Sequence, residues 1–316
     1  MKGLTLKCRI VMPPMATQLA TQTGAVTESL VEHYVKRSKA LGLLIIEHSY
    51  VSLQGKLSEK QLGIHDNSLI PELKKLVQSV HAKGTPIVAQ INHAGARTTE
   101  EITRTPPVAP SPAEGVRELQ VGEIEDLSCA FAIAAERAMK AGFDGVEVHG
   151  AHGFLLNQFF SPLTNRRSDN YGGSLENRMR FPLEVVERIR EVASGKVLMY
   201  RLGADDMDPG GTKITDSKRF GLKLQDAGVD IIDVSGGLCG SRPEKLQGIQ
   251  GYFVAQANQI KEVVNVPVVG VGGINESAYA DRLVREEIVD LVAVGRAILK
   301  DPEWAIKALQ ISSLHL

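Results

Sequence analysis

Eight short apolar runs punctuate the chain, at 10–12, 43–46, 86–91, 145–149, 197–202, 231–235, 268–272 and 291–294. Each has strand length, and most are apolar at nearly every position, the pattern of a strand covered on both faces rather than one. Between them, at about 27–41, 71–83, 123–141, 175–193, 215–227, 253–264, 276–286 and 302–309, apolar residues recur at spacings of three and four. Leu73, Leu76, Val77 and Val80 show the spacing most clearly, and it predicts amphipathic helices. Strands separated by crossover helices imply a parallel sheet, and eight such units favour a closed (β/α)8 barrel over an open doubly wound sheet. An open sheet should carry a glycine-rich nucleotide turn after its first strand, but that position reads MPPMATQLA.

Composition narrows the picture. A chain of 316 residues with 43% hydrophobic content can bury one large core, so a single domain over 1–316 is expected. The formal net charge of -1 leaves no electrostatic footprint for nucleic acid or an anionic membrane. No apolar run reaches the ~18 residues a bilayer span needs. The N-terminus has no hydrophobic stretch with a cleavage site, so no signal peptide is expected. Cys8, Cys129 and Cys239 are isolated, which supports neither disulfides nor a zinc or iron–sulfur site; a reducing cytoplasm is the simplest setting and no metal is expected. The Pro- and Gly-rich loop 104–115 reads as a surface excursion after the third strand.

Barrel active sites lie at the C-terminal ends of the strands. That rule gathers Pro14, Met15 and Ala16, Glu47 and His48, Gln90 and His93, His149 and His152, Arg201, Ser235 to Gly237, and the glycine turns of the last two strands. His149 and His152 leave the fourth strand on one turn, where an imidazole can donate to a carbonyl oxygen. Gly270, Gly272 and Gly273 close the seventh strand, and Gly295 and Arg296 the eighth. Loops in those places often build a phosphate site from backbone N–H groups, with arginine adding a charged contact.

The run HGAHGFLLNQFFSP followed by NRRSDNYGGSLENRMRF closely resembles the signature of the Old Yellow Enzyme family of flavin-dependent ene-reductases. It is most similar to the bacterial two-histidine branch and to the barrel domain of 2,4-dienoyl-CoA and 2-enoate reductases. Further similarity lies in PPMAT, VAQINHAGAR, AGFDGVEVHGAHG, VPVVGVGGI and VDLVAVGRAILKDP, and so covers nearly the whole chain. The resemblance implies FMN bound non-covalently over the C-terminal mouth of a TIM barrel. Pro14, Met15 and Ala16 would line the flavin edge and His48 would lie beside the ring. Gln90 would meet its pyrimidine part, Arg201 would stabilise the reduced anion, and Gly272, Gly273, Gly295 and Arg296 would hold the phosphate. His93 is left as structural. NADH or NADPH would be the reductant and a small α,β-unsaturated carbonyl compound, enoyl thioesters included, the acceptor, its oxygen bound by His149 and His152.

Two positions depart from the family pattern. Phe154 stands where most relatives have a tyrosine that delivers a proton to the α-carbon; Tyr252 and ordered water are the substitutes considered, and Tyr252 is equally a substrate-facing aromatic. Ala16 stands where two-histidine relatives often carry a cysteine. The alternative to an ene-reductase is accordingly an NAD(P)H:flavin or quinone oxidoreductase, a diaphorase or oxidase, which needs no proton donor. A phosphate-binding lyase or isomerase would need a lysine beside Glu47 or Asp233, and none is there. The chain stops soon after its eighth helix, so no iron–sulfur or nucleotide domain is expected. A homo-oligomer is left open, and ISSLHL has no arginine with which to complete a neighbour's site.

Overall fold

The computed structural model describes residues 4–310 and Leu314; the other residues of the C-terminal ISSLHL segment, and the expectation attached to it, lie outside the described residues. The predicted runs become the strands β1 (Ile10–Met12), β2 (Leu43–Tyr50), β3 (Ile87–Asn92), β4 (Gly145–Gly150), β5 (Val197–Gly203), β6 (Ile231–Ser235), β7 (Val268–Gly270) and β8 (Leu291–Ala293). They pair in parallel, each with its sequence neighbours, and β8 closes on β1 through Ile10↔Val292 and Val11↔Ala293. Crossover helices α1 (Glu28–Arg37), α2 (Ile70–His81), α3 (Val121–Ala141), α4 (Leu175–Val192), α5 (Ile214–Asp226), α6 (Val254–Lys261), α7 (Ser277–Arg285) and α8 (Trp304–Gln310) follow the strands. This is a (β/α)8 barrel. Among the described residues no helix is long and apolar enough to cross a membrane.

Local chemistry explains the boundaries. Ser174 caps α4, its hydroxyl oxygen accepting from the Asn177 N–H at 3.2 Å, and Thr27 caps α1 through the Leu30 N–H. Gly142 ends α3 at φ 93°, a conformation that favours glycine.

The period of two sorts each strand between two cores. Val197 and Met199 point into the barrel with Leu43, Ile45, Val88 and Ile231, whereas Leu198 and Tyr200 point outward to the helices, as do Leu44 and Ile46. Each such side chain contributes about 1.5–3 kcal/mol when fully buried. Toward the C-terminal ends the interior turns polar, with Gln90, Glu147, Arg201 and Asp233 all buried.

Strand β2 is longer than the apolar run and carries an irregularity. It pairs Ile46 with Ala89, then Ser49 with Ile91, so one extra residue is inserted near Glu47 and His48. Such a bulge breaks the alternation and re-aims side chains.

The loop 104–115 departs from expectation. Its segment 107–111 is buried, and Val108–Ala109 pairs with Arg117–Glu118. The cause lies in the polar run after the histidines. The buried Arg167 donates to the carbonyls of Pro110 at 2.9 Å and Leu119 at 2.7 Å, and pairs with Asp169 at 2.6 Å and Glu118 at 3.2 Å. Arg167 therefore pins the excursion to the barrel. The short helix Leu155–Phe160 escapes a periodicity reading because all its residues are buried.

Candidate active site

The C-terminal ends of the strands open onto a cavity of about 390 Å³, within the size range of cofactor and small-molecule sites. Pro14, Met15, Ala16, His48, Gln90, His149, His152, Arg201, Tyr252, Gly272, Gly273, Gly295 and Arg296 all line it. Arg97 and Arg242 line it as well, in loops that the strand-end rule does not reach. Glu47 does not line it; its carboxylate accepts from the Thr17 N–H at 2.9 Å and the Thr17 hydroxyl at 3.1 Å, docking the loop after β1. Buried His93 stays outside the cavity too, accepting from the Gly95 N–H at 3.1 Å.

One end of the cavity is built from glycines. Gly272 (φ 128°) and Gly273 (φ 65°) adopt conformations that L side chains rarely reach. A Cβ on Gly272 would sit 2.7 Å from the Tyr252 nitrogen, and one on Gly295 2.9 Å from Met15 Sδ. No described hydrogen bond uses the N–H groups of Gly273, Gly295 or Arg296, which leaves them free for an anion. Tyr252 belongs to this end. Its hydroxyl donates to the Ser241 carbonyl at 2.8 Å and accepts from Arg296 Nη2 at 3.4 Å. The hydroxyl proton expected to replace that of the missing tyrosine is therefore already engaged.

The other end is built from imidazoles. His149 and His152 stand 5.1 Å apart edge to face, with the Phe154 ring 4.8 Å from His149. His152 holds a left-handed φ of 59°. The strain of such a residue, about 1–3 kcal/mol, is opposed by the bond from its N–H to the Gly236 carbonyl at 3.0 Å and by the Arg97 guanidinium on its own carbonyl at 2.8 Å. Its Nε2 meets Ser235 Oγ at 2.7 Å. Arg97 also lies over the Phe154 ring at 5.5 Å. Burial, reinforced by Arg201, holds both imidazoles well below the usual histidine range, so each is neutral at pH 7 with one N–H to donate.

A charged layer lies beneath. Strand register puts His149, Arg201 and Asp233 side by side on β4, β5 and β6, and Gln90 beside Glu147 on β3 and β4. Gln90 Nε2 donates to Glu147 Oε1 at 2.7 Å, and Arg201 Nε lies 3.3 Å from Asp233 Oδ2. Burial and the facing Asp233 push the Glu147 carboxyl well up, while Arg201 opposes the rise at Asp233. Burial thus favours the protonated form at Glu147, and the Arg201 guanidinium at 3.3 Å favours the charged form at Asp233.

Residues 1–313 match the NADH:flavin oxidoreductase / NADH oxidase family. An NADH oxidase from Thermoanaerobacter brockii is 44% identical over 319 residues, covering 97% of this chain and 49% of that protein. An NADPH dehydrogenase from Clostridium acetobutylicum is 38% identical over 324 residues, covering 100% of this chain and 94% of that protein. Among solved structures, the old yellow enzyme homologue from Zymomonas mobilis superposes with a TM-score of 0.85 at 26% identity, covering 99% of this chain and 91% of that one. The chain spans about half the length of the first of these relatives and most of the other two.

Proposed function

The chain belongs to the NADH:flavin oxidoreductase / NADH oxidase family, the family of the old yellow enzymes, and from that premise we propose an FMN-dependent NAD(P)H oxidoreductase of the ene-reductase kind, with the barrel over 1–316 as its catalytic unit. The observation that carries the proposal is a single cavity joining two neutral imidazoles to a glycine and arginine cradle.

The residues present fit FMN. Free N–H groups at Gly273 and Gly295 and the charge of Arg296 suit its phosphate. Among the described residues Arg201 Nε has no aligned acceptor, and with Gln90 it offers polar contacts to the ring. Pro14, Met15, Ala16 and His48 complete the wall around it, with Gly272 behind the phosphate turn. When bound there, FMN supplies the relay of a hydride between NADH or NADPH and an acceptor.

The chain's own part is binding, orientation and electrostatics. His149 and His152 donate to the carbonyl oxygen of an α,β-unsaturated compound, a class that includes enoyl thioesters, and their hydrogen bonds strengthen as negative charge develops there. One such donor is worth ~3–4 kcal/mol. Arg201 would stabilise the negative charge of the reduced flavin. Phe154 has no proton to give, so proton delivery to the α-carbon falls to solvent, at a typical cost of ~10²–10⁴-fold in that step.

The absent hydroxyl at Phe154 favours a second reading, a diaphorase or oxidase. The Thermoanaerobacter brockii relative carries the name NADH oxidase, which agrees with it. Anaerobic stopped-flow of the FMN-loaded protein separates the two: NADH or NADPH should bleach the absorbance near ~450 nm and cyclohexenone should restore it, faster in Phe154→Tyr. Recovery with oxygen or a quinone alone, in both proteins, would replace the ene-reductase reading. An inability to hold FMN at all would remove both.

A further inference from the structure

A buried amide in the segment after β2 fixes the hydrogen of a third imidazole. Gln61 is 3% exposed. The Leu57 N–H donates to its Oε1 at 2.6 Å, and an N–H can face only the oxygen of that amide, so its orientation is set by chemistry. Gln61 Nε2 then faces His48, 2.7 Å from Nδ1 and 3.0 Å from the His48 carbonyl. Both amide hydrogens are used, and His48 Nδ1 must accept. Burial, with Arg201 nearby, lowers the His48 imidazole to about 4, so it is neutral at pH 7. A neutral imidazole that accepts at Nδ1 carries its hydrogen on Nε2.

That hydrogen has somewhere to go. Among the described residues His48 Nε2 has no partner, and the ring lines the cavity. The ring lies 5.3 Å from Phe154 and 6.2 Å from His149. Ala16 lines the same cavity, its loop tied down by the bonds from Thr17 to Glu47 beside His48. Neither Ala16 nor Phe154 offers a side-chain donor. The bulge in β2 is what turns His48 inward, since strict alternation from inward Ile45 would point it at the helices.

We propose that His48 is a third hydrogen-bond donor of this site, its Nε2–H directed at a carbonyl oxygen of the conjugated ligand, and that Gln61 is the positioning residue that fixes the tautomer. The carbonyl belongs either to bound FMN or to the enone. The choice of acceptor rests on the proposed function; the tautomer does not.

The test begins with FMN-loaded protein carrying ¹⁵N-histidine. Long-range ¹H–¹⁵N correlation, with His48 assigned by its loss in His48→Phe, should show a single species protonated at Nε2. In Gln61→Leu the same residue should become a mixture of tautomers. Protonation at Nδ1 in the wild type, or an unchanged pattern in Gln61→Leu, overturns the assignment, and His48→Gln supplies the signal assignment where His48→Phe fails to fold. Dissociation constants of FMN and of cyclohexenone are then measured in His48→Phe. A loss of about tenfold, equivalent to about 1.4 kcal/mol, is expected in one of them, with FMN loss accompanied by a shifted reduction potential. A change under twofold in both overturns the donor role. If cyclohexenone fails to bind even the wild type, the substrate reading falls while the tautomer and FMN measurements still decide the role of His48.

Discussion

Replacing Glu147 by glutamine should not destabilise the fold, while replacing Asp233 by asparagine should be costly, although both side chains are fully buried carboxyls in one cluster. The difference follows from which of them is charged. Glu147 holds the proton, so Glu147→Gln exchanges one neutral group for another of the same shape, and its oxygen still accepts from Gln90 Nε2. The new amide can donate to Asp233. Near pH 4.5 and below, where the unfolded chain also keeps the proton, the net change should stay within about 1 kcal/mol, and at pH 7 it becomes a gain, because only the unfolded wild type ionises there. Asp233→Asn instead leaves the buried Arg201 without its counter-charge, 3.3 Å away in the native chain, and breaking a buried pair typically costs about 3–5 kcal/mol. Urea unfolding at pH 7, with and without FMN, measures both. The pH dependence adds a second signature. The folded chain retains the Glu147 proton above the ordinary value of 4.5, whereas the unfolded chain releases it there. Wild-type stability therefore falls as pH rises above 4.5, by up to about 1.4 kcal/mol per unit, until the folded value is reached. Glu147→Gln lacks that proton and should gain on the wild type across the same window. Equal losses in the two variants, or a gap independent of pH, would refute this assignment of the proton.

Gly272→Ala should destabilise the turn and weaken FMN retention at least tenfold, read by fluorescence titration, because the new methyl meets the Tyr252 nitrogen at 2.7 Å and φ is 128°. Enone binding should show no inflection near pH 6.5 between pH 6 and 8, because both active-site imidazoles are held well below that value and stay neutral as pH falls; isothermal titration across the range checks it. Arg167→Ala should cost roughly 2–3 kcal/mol, since it strips buried carbonyls of a charged donor, and should open the chain to limited proteolysis within 104–119.

Period and punctuation determined much of this protein in advance. The strand runs, the three-and-four spacing of the helices, the Ser174 cap and the glycine turns at 272–273 and 295 are local, and a barrel converts strand ends into one mouth, so many of the residues brought together around the cavity could be named from the chain, though not Arg97 or Arg242. Tertiary structure decided what depends on register and closure. The extra residue in β2 is invisible without its partner β3, yet it turns His48 into the cavity. Glu147 and Asp233 meet across β5, so the proton one keeps depends on a neighbour 86 positions away, as their numbers 147 and 233 show. Arg167 stands in a polar run that names no partner until burial gives it carbonyls to hold, and Tyr252 reads as a candidate proton donor until Ser241 takes its hydrogen. Such partners are chosen by distance in space and by the cost of leaving a buried polar group unpaired, and neither is written in the local sequence.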